Sequence, residues 1–212
     1  MLPYLEQIYD ESPDFLFIRG KEESDYYTCN ALLINDILID TGISNKYLEQ
    51  IIKNYEINKV IFSHWHEDHI SGSNLLPKCS FLCHSNDKFV IENIKKMYLF
   101  YGFNVNPPDE MVSYLNKYDL HDTKISQTLK DGQKIVIDDK YNLMIIHTPG
   151  HTSGHCCFYE EDLKFAFLAD INMPESGPWY GGIDSNLIEY EESLHKLLNL
   201  EIETAIFSHY GL

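Results

Sequence analysis

Four short apolar runs in this 212-residue chain each end at or just before a histidine or an aspartate. "KVIFSH" (59–64) opens the stretch "HWHEDH", which supplies His64, His66, Asp68 and His69 within six positions. "NLMIIHT" (142–148) runs into the turn "PGHTSGH", which carries His151 and His155. "LKFAFLAD" (163–170) stops on Asp170, and "TAIFSH" (204–209) stops on His209. Runs rich in β-branched and aromatic residues, bounded by Gly, Pro, Asn or Asp, read as strands. In open α/β sheets, ligands gather at the carboxyl ends of the strands. A fold that satisfies all four runs has to bring those ends to one edge and cover strands that are apolar on both faces.

Six more runs read as strands: 14–19, 30–35, 36–40, 78–84, 133–138 and 155–160. Between them lie helical patterns. "SNKYLEQIIKNY" (44–55) has Ser44 placed as an N-cap and apolar residues at helical spacing. Residues 185–200 repeat that spacing with Leu187, Tyr190, Leu194, Leu197 and Leu198. Residues 86–118 predict two further helices broken at "NPP", an insert able to cover a site. Apolar strands interleaved with amphipathic helices predict sheets covered by helices, an α/β sandwich. The sequence contains no internal repeat, low-complexity tract or Gly/Ser linker, so 1–212 reads as a single domain.

Charge narrows the partners. With 33 acidic and 16 basic residues, the net charge is −17. Such a surface repels phosphate backbones, which argues against nucleic acid and anionic membranes. No run approaches 18 apolar residues, so no membrane span is expected. The start, "MLPYLEQIYDESPD", is acidic and has no apolar stretch behind a basic region, unlike a secretion signal. The expected setting is cytoplasmic, the expected partner a small-molecule substrate, with room for a homo-oligomer. Five cysteines at low density read as small buried hydrophobes, with Cys156 and Cys157 on opposite faces of a strand.

The five imidazoles His64, His66, His69, His151 and His209 and the carboxylates Asp68 and Asp170 offer only nitrogen and oxygen, which suits zinc, iron or manganese. Seven donors are too many for one tetrahedral ion that keeps an open position. Two ions sharing a carboxylate use them all. His64 and His66, two apart, can project from one side of extended backbone toward one ion, and Asp68 and His69 serve the other. Paired cations about 3.5–4 Å apart share a water and lower its pKa toward neutrality. The resulting hydroxide, oriented by Asp68, can attack an acyl carbon. Asp40 ends an apolar strand, where it could cap the next helix or support the site. His155, four residues after His151, could bond within its turn or back up a ligand. Tyr180 and Tyr210 are the candidates for lining a pocket. His84, His121, His147 and His195 read as ordinary histidines.

These motifs resemble those of the metallo-β-lactamase-fold hydrolase superfamily. "SHWHEDH" resembles its His-x-His-x-Asp-His signature and "TPGHTSGH" its Gly-His motif. "LAD" is similar to the stretch with its bridging aspartate, "SHYG" to that with its terminal histidine, and "LIDTG" (38–42) to its first motif. The resemblance implies a four-layer αββα sandwich. It implies that His64, His66 and His151 hold a first metal, that Asp68, His69 and His209 hold a second, and that Asp170 bridges them with Asp40 supporting from behind. Two divalent ions follow, zinc first and iron or manganese as alternatives. The Gly-His turn is most similar to the hydroxyacylglutathione hydrolase (glyoxalase II) group, which implies thioester hydrolysis. A lactonase or another ester or amide hydrolase would use the same metal set. A mononuclear-iron persulfide dioxygenase, an oxidoreductase, shares the signature. Three residues follow His209 here, where the glyoxalase II group continues into a helical region that binds glutathione.

Overall fold

The structure is a computed structural model that describes residues 2–21, 27–103, 107–172 and 177–209. The first sheet runs in sequence order: β1 (Leu5–Tyr9), β2 (Ser12–Ile18), β3 (Ala31–Ile34), β4 (Ile37–Ile39), β5 (Lys59–Ile61), β6 (Ser80–His84) and β7 (Ile125–Leu129). Strands β1 to β4 form an antiparallel meander, and β4 to β7 are parallel. Parallel neighbours need crossovers. Helix α1 (Asn45–Asn54) lies between β4 and β5, and the single turn α2 (Glu67–Ile70) between β5 and β6. Helices α3 (Lys88–Ile91), α4 (Met97–Phe100) and α5 (Asp109–Leu115) lie between β6 and β7. The second sheet has the order β12-β11-β10-β9-β8. Its strands β8 (Lys134–Ile137), β9 (Tyr141–His147), β10 (Cys156–Glu160) and β11 (Phe165–Ala169) are antiparallel. Helix α6 (Leu187–Leu197) then returns the chain to β12 (Thr204–Phe207), parallel to β11.

Three apolar layers follow from the period-2 alternation of side chains along the strands. Phe15, Phe17, Ile39, Ile61, Phe158 and Phe167 fill the space between the sheets. Leu16, Leu38 and Val60, on the other face of the first sheet, pack with Leu48 and Ile51 of α1 and with Met97 and Leu115. Ile146, Cys157 and Leu168 meet Tyr190 and Leu197 of α6. The order is helix, sheet, sheet, helix: the αββα sandwich. Cys156 faces the layer between the sheets and Cys157 the α6 layer, and all five cysteines are free.

β1 and β7 were not anticipated. In β1 only Leu5 is buried, and "ISQTL" of β7 buries only its two ends, so these edge strands carry no apolar run to read. The 86–118 segment forms three short helices and a 3₁₀ turn (Ile94–Lys96) instead of two helices. Asn106 of "NPP" lies outside the described residues, and Pro108 stands at the N-cap of α5. No helix among the described residues is long and apolar enough to cross a membrane.

Candidate metal centre

β5 ends at Ile61, and three residues later the backbone delivers His64 and then His66, the N-cap residue of α2. That one turn carries Glu67, Asp68 and His69, all buried. The loop after β4 presses against it: Thr41 N donates to the His69 carbonyl at 2.9 Å, and a Cβ on Gly42 would stand 1.5 Å from the Asp68 carbonyl oxygen. Only glycine fits there. In the second sheet, the turn after β9 holds His151. Here Gly150 has φ +130, and its Cα lies against the Tyr190 backbone. β11 shifts register against β12 between Phe167 and Ala169, and Ala169 has φ +48. Such an irregularity re-aims the following side chain, here Asp170. Ser208 N bonds the Ala169 carbonyl at 3.0 Å, which fixes the end of β12 just before His209.

These chain ends bring all seven sequence-predicted donors together. His66 Nδ1 is 2.9 Å from His64 Nε2 and 3.0 Å from His151 Nε2. Asp170 Oδ2 stands 3.4 Å from His151 Nε2 and 3.8 Å from His64 Nε2. On the other side, His209 Nε2 is 3.2 Å from Asp68 Oδ2, and His69 Nε2 is 3.6 Å from the same oxygen. Asp170 joins this side as well, with Oδ2 3.3 Å from His209 Nε2 and Oδ1 3.3 Å from His69 Nε2. The donors thus form two groups, His64–His66–His151 and Asp68–His69–His209, with Asp170 between them.

Hydrogen bonds behind the donors set their tautomers. Ser63 Oγ donates to Asp40 Oδ2 at 2.7 Å, so it accepts from His64 Nδ1 at 3.0 Å. His69 Nδ1 donates to Asp40 Oδ2 at 2.8 Å, and His151 Nδ1 to the Trp179 carbonyl at 3.1 Å. Each of these rings therefore presents its Nε2 to the centre. Asp40, at φ +63, also takes the Ser63 amide at 2.8 Å. His155 lies behind Asp170: its Nε2 accepts from the Asp170 amide at 3.2 Å, while Nδ1 bonds Thr148 Oγ1 at 2.8 Å.

Imidazole nitrogens and carboxylate oxygens that converge this closely fit a cation. Burial, and then the crowding of neighbouring imidazoles, holds His64 and His66 well below the usual histidine range, hence neutral. Burial would also push His69 and His209 down, but Asp170 and Asp68 outweigh it and hold both well above. Burial would raise Asp170; His209 and His69 instead keep it well below the carboxylate range. Buried polar groups normally find partners, yet His69 Nε2 and Asp170 Oδ1 lack any hydrogen bond. A divalent ion in each group would satisfy them.

Above the donors lies a cavity of about 450 Å³. His66, Asp68, His151, Asp170 and His209 border it. Glu67, Tyr101, Met111 and Tyr114 line it as well, together with Asn172, Pro178 and Trp179. Tyr180 is 56% exposed and is absent from this lining; its neighbour Trp179 is present instead. Tyr210 lies outside the described residues. Sequence reasoning passed over Glu67, which sits inside the most conspicuous motif, and Ser63, whose partner Asp40 is 23 residues away.

The family model of the metallo-β-lactamase superfamily matches residues 25–209, and the chain belongs to that superfamily, whose members are metal-dependent hydrolases. The hydroxyacylglutathione hydrolase GloC of Haemophilus influenzae is 26% identical over 190 residues, covering 84% of this chain and 80% of that protein. An atrochrysone carboxyl ACP thioesterase of Aspergillus fumigatus is 25% identical over 200 residues, covering 80% of this chain but only 40% of its own length. Among solved structures, TTHA1623 in a di-iron-bound form matches with a TM-score of 0.65 at 21% identity, over 87% of this chain and 89% of that one. That is a likeness of fold.

Proposed function

We propose that this chain hydrolyses acyl substrates, thioesters foremost, at a centre of two divalent metal ions. The observation that carries the reading is the pair of donor groups meeting at Asp170, each with three further donors. His64, His66 and His151 would hold one ion and Asp68, His69 and His209 the other, with Asp170 shared. Zinc suits the all-nitrogen-and-oxygen set, as do iron and manganese. Bound metals would supply Lewis acidity and a water acidified toward neutral pH. The chain's own part is orientation and proton handling. Asp40, through Ser63 and His69, keeps donor rings from rotating. Asp68 borders the cavity and can accept a proton from the attacking water, then return it to the leaving group. The buried floor restricts bulk water. Thioesters come first because one relative is named a thioesterase and another a hydroxyacylglutathione hydrolase, itself a hydrolase of a thioester. Residues 86–118 serve in this reading as an insert roofing the site within a single domain, since Tyr101, Met111 and Tyr114 line the cavity.

The test is metal analysis of the purified protein with initial rates on thioesters, lactones and phosphodiesters. Two metals per chain and metal-dependent thioester cleavage are expected. One iron per chain, with oxygen consumed on a persulfide and no hydrolysis, would overturn the reading in favour of a dioxygenase.

A further inference from the structure

The wall of the cavity that the donors leave unused has its own chemistry. Glu67 is only 3% exposed, its carboxylate accepts the Tyr101 hydroxyl at 2.5 Å, and Tyr114 lines the same cavity beside it. Tyr118 donates to Tyr114 at 2.9 Å. The Tyr101 ring meets Trp179 nearly at right angles, 6.3 Å between centroids, which makes an aromatic corner. No Lys or Arg among the described residues lines the cavity, and the stretches outside them contain neither residue in sequence. The Lys117 ammonium sits over Tyr27, 5.9 Å from the Tyr114 ring, and lines a different pocket with Tyr27 and Tyr118.

Aromatic faces attract cations through their quadrupoles, most strongly where water is excluded. A phenol that donates a hydrogen bond to a carboxylate gains electron density in its ring, so Glu67 strengthens the Tyr101 face without touching the ligand itself. A substrate carboxylate or phosphate would meet no counter-charge in this wall and would lose its hydration uncompensated. A quaternary or protonated amine would find the rings of Tyr101, Tyr114 and Trp179, with the Glu67 carboxyl hydrogen-bonded behind Tyr101.

We infer that the Glu67–Tyr101–Tyr114–Trp179 wall binds the cationic end of the substrate, so that the acyl compounds taken are those carrying an ammonium group away from the bond that is cut. This deepens the hydrolase reading above and rests on it for the word substrate; the cation site itself does not. Calorimetric titration of the purified full chain with choline and with its neutral isostere, 3,3-dimethylbutan-1-ol, tests it. Choline is expected to bind at least about tenfold more tightly. Glu67→Gln and Trp179→Leu should each cut that ratio to below about threefold. Trp179 is 43% exposed, so its variant carries the test if Glu67→Gln fails to fold. Equal binding of the two probes, absence of binding by both, or an unchanged ratio in the variants would overturn the proposal. A parallel comparison of acetylthiocholine with S-(3,3-dimethylbutyl) thioacetate on metal-loaded protein separates the two claims. Cleavage of both at equal kcat/KM overturns the cation wall and keeps the hydrolase. Choline binding with no cleavage of either overturns the hydrolase and keeps the wall.

Discussion

Asp40 shows how much one side chain away from the cavity can control. It is fully buried and takes three hydrogen bonds, from the Ser63 amide, the Ser63 hydroxyl and the His69 ring. Asp40→Ala would orphan the buried Ser63 amide at roughly 1–3 kcal/mol, and would loosen the His69 ring, leaving it only the Ser63 hydroxyl at 3.2 Å. Supporting partners of this kind are worth about 10–100-fold in metal affinity. The expected outcome is a lower melting temperature and a metal content falling from two toward one per chain at limiting metal, read by denaturation and elemental analysis; a variant that still holds two metals would refute the role. Gly42→Ala should be comparably damaging, because its Cβ cannot coexist with the Asp68 carbonyl 1.5 Å away. Thermal melts and metal content would register the displacement of α2. At this scale the donors were legible because His and Asp at strand ends are conspicuous, and "LIDTG" pointed to Asp40. Ser63 and Glu67 were not legible, since a serine or a glutamate acquires its role only from partners brought near by folding.

Among the elements, strands apolar on both faces could be read directly: β3, β4, β10 and β11 are buried throughout. The edge strands β1 and β7 could not, because an edge carries half the burial and hence half the pattern. The helices of 88–115 resisted for a related reason: each is at most seven residues long, too short for periodicity to accumulate. The ends of β6 and β9 present a further consequence. His84 and His147 stack across the two sheets with centroids 3.9 Å apart and planes 11° apart. His84 Nδ1 accepts the Asn86 amide, and His147 Nε2 bonds the Ser153 carbonyl. Burial, then the neighbouring His147, pushes His84 down to about 4 from its ordinary 6.5, against a smaller upward pull from Asp131. Between those values the unfolded chain holds a proton that the folded chain does not. Stability is therefore lost as pH falls through that window, and the loss is complete below about 4. His84→Phe keeps a ring beside His147 without the titration. Its melting temperature should fall less steeply than the wild type's between pH 6.5 and 4. Parallel slopes would show that the stacked pair is not a source of acid sensitivity.

Across the whole molecule, the donors come from both sheets. His64, His66, Asp68 and His69 follow β5 of the first, while His151, Asp170 and His209 follow β9, β11 and β12 of the second. Besides the apolar layer, direct bonds join the two halves near this edge, among them the Asn30 side chain on the Phe207 carbonyl, the Asn30 amide on the Ser208 carbonyl and the Cys156 amide on the Ser63 carbonyl. Metal ions held by the two donor groups would therefore tie the sheets together at the edge where β12 is paired on one side only, with β11. Ligands that bind only the folded chain stabilise it by mass action, about 2.7 kcal/mol per site at a hundredfold excess over Kd. For a domain of this size, 1 kcal/mol shifts the melting temperature by roughly 2–4 °C, so each metal should raise it by about 5–10 °C. Chelation should reverse the gain and, before the core melts, raise hydrogen exchange in Thr204–Phe207 more than in β3 or β10. Asp170→Ala, which removes the carboxylate between the groups, should hold one metal instead of two and show only part of that gain on metal addition. A wild-type chain whose melting temperature and β12 protection ignore added metal would mean that packing alone joins the two sheets, and that the donors converge without a cation to hold.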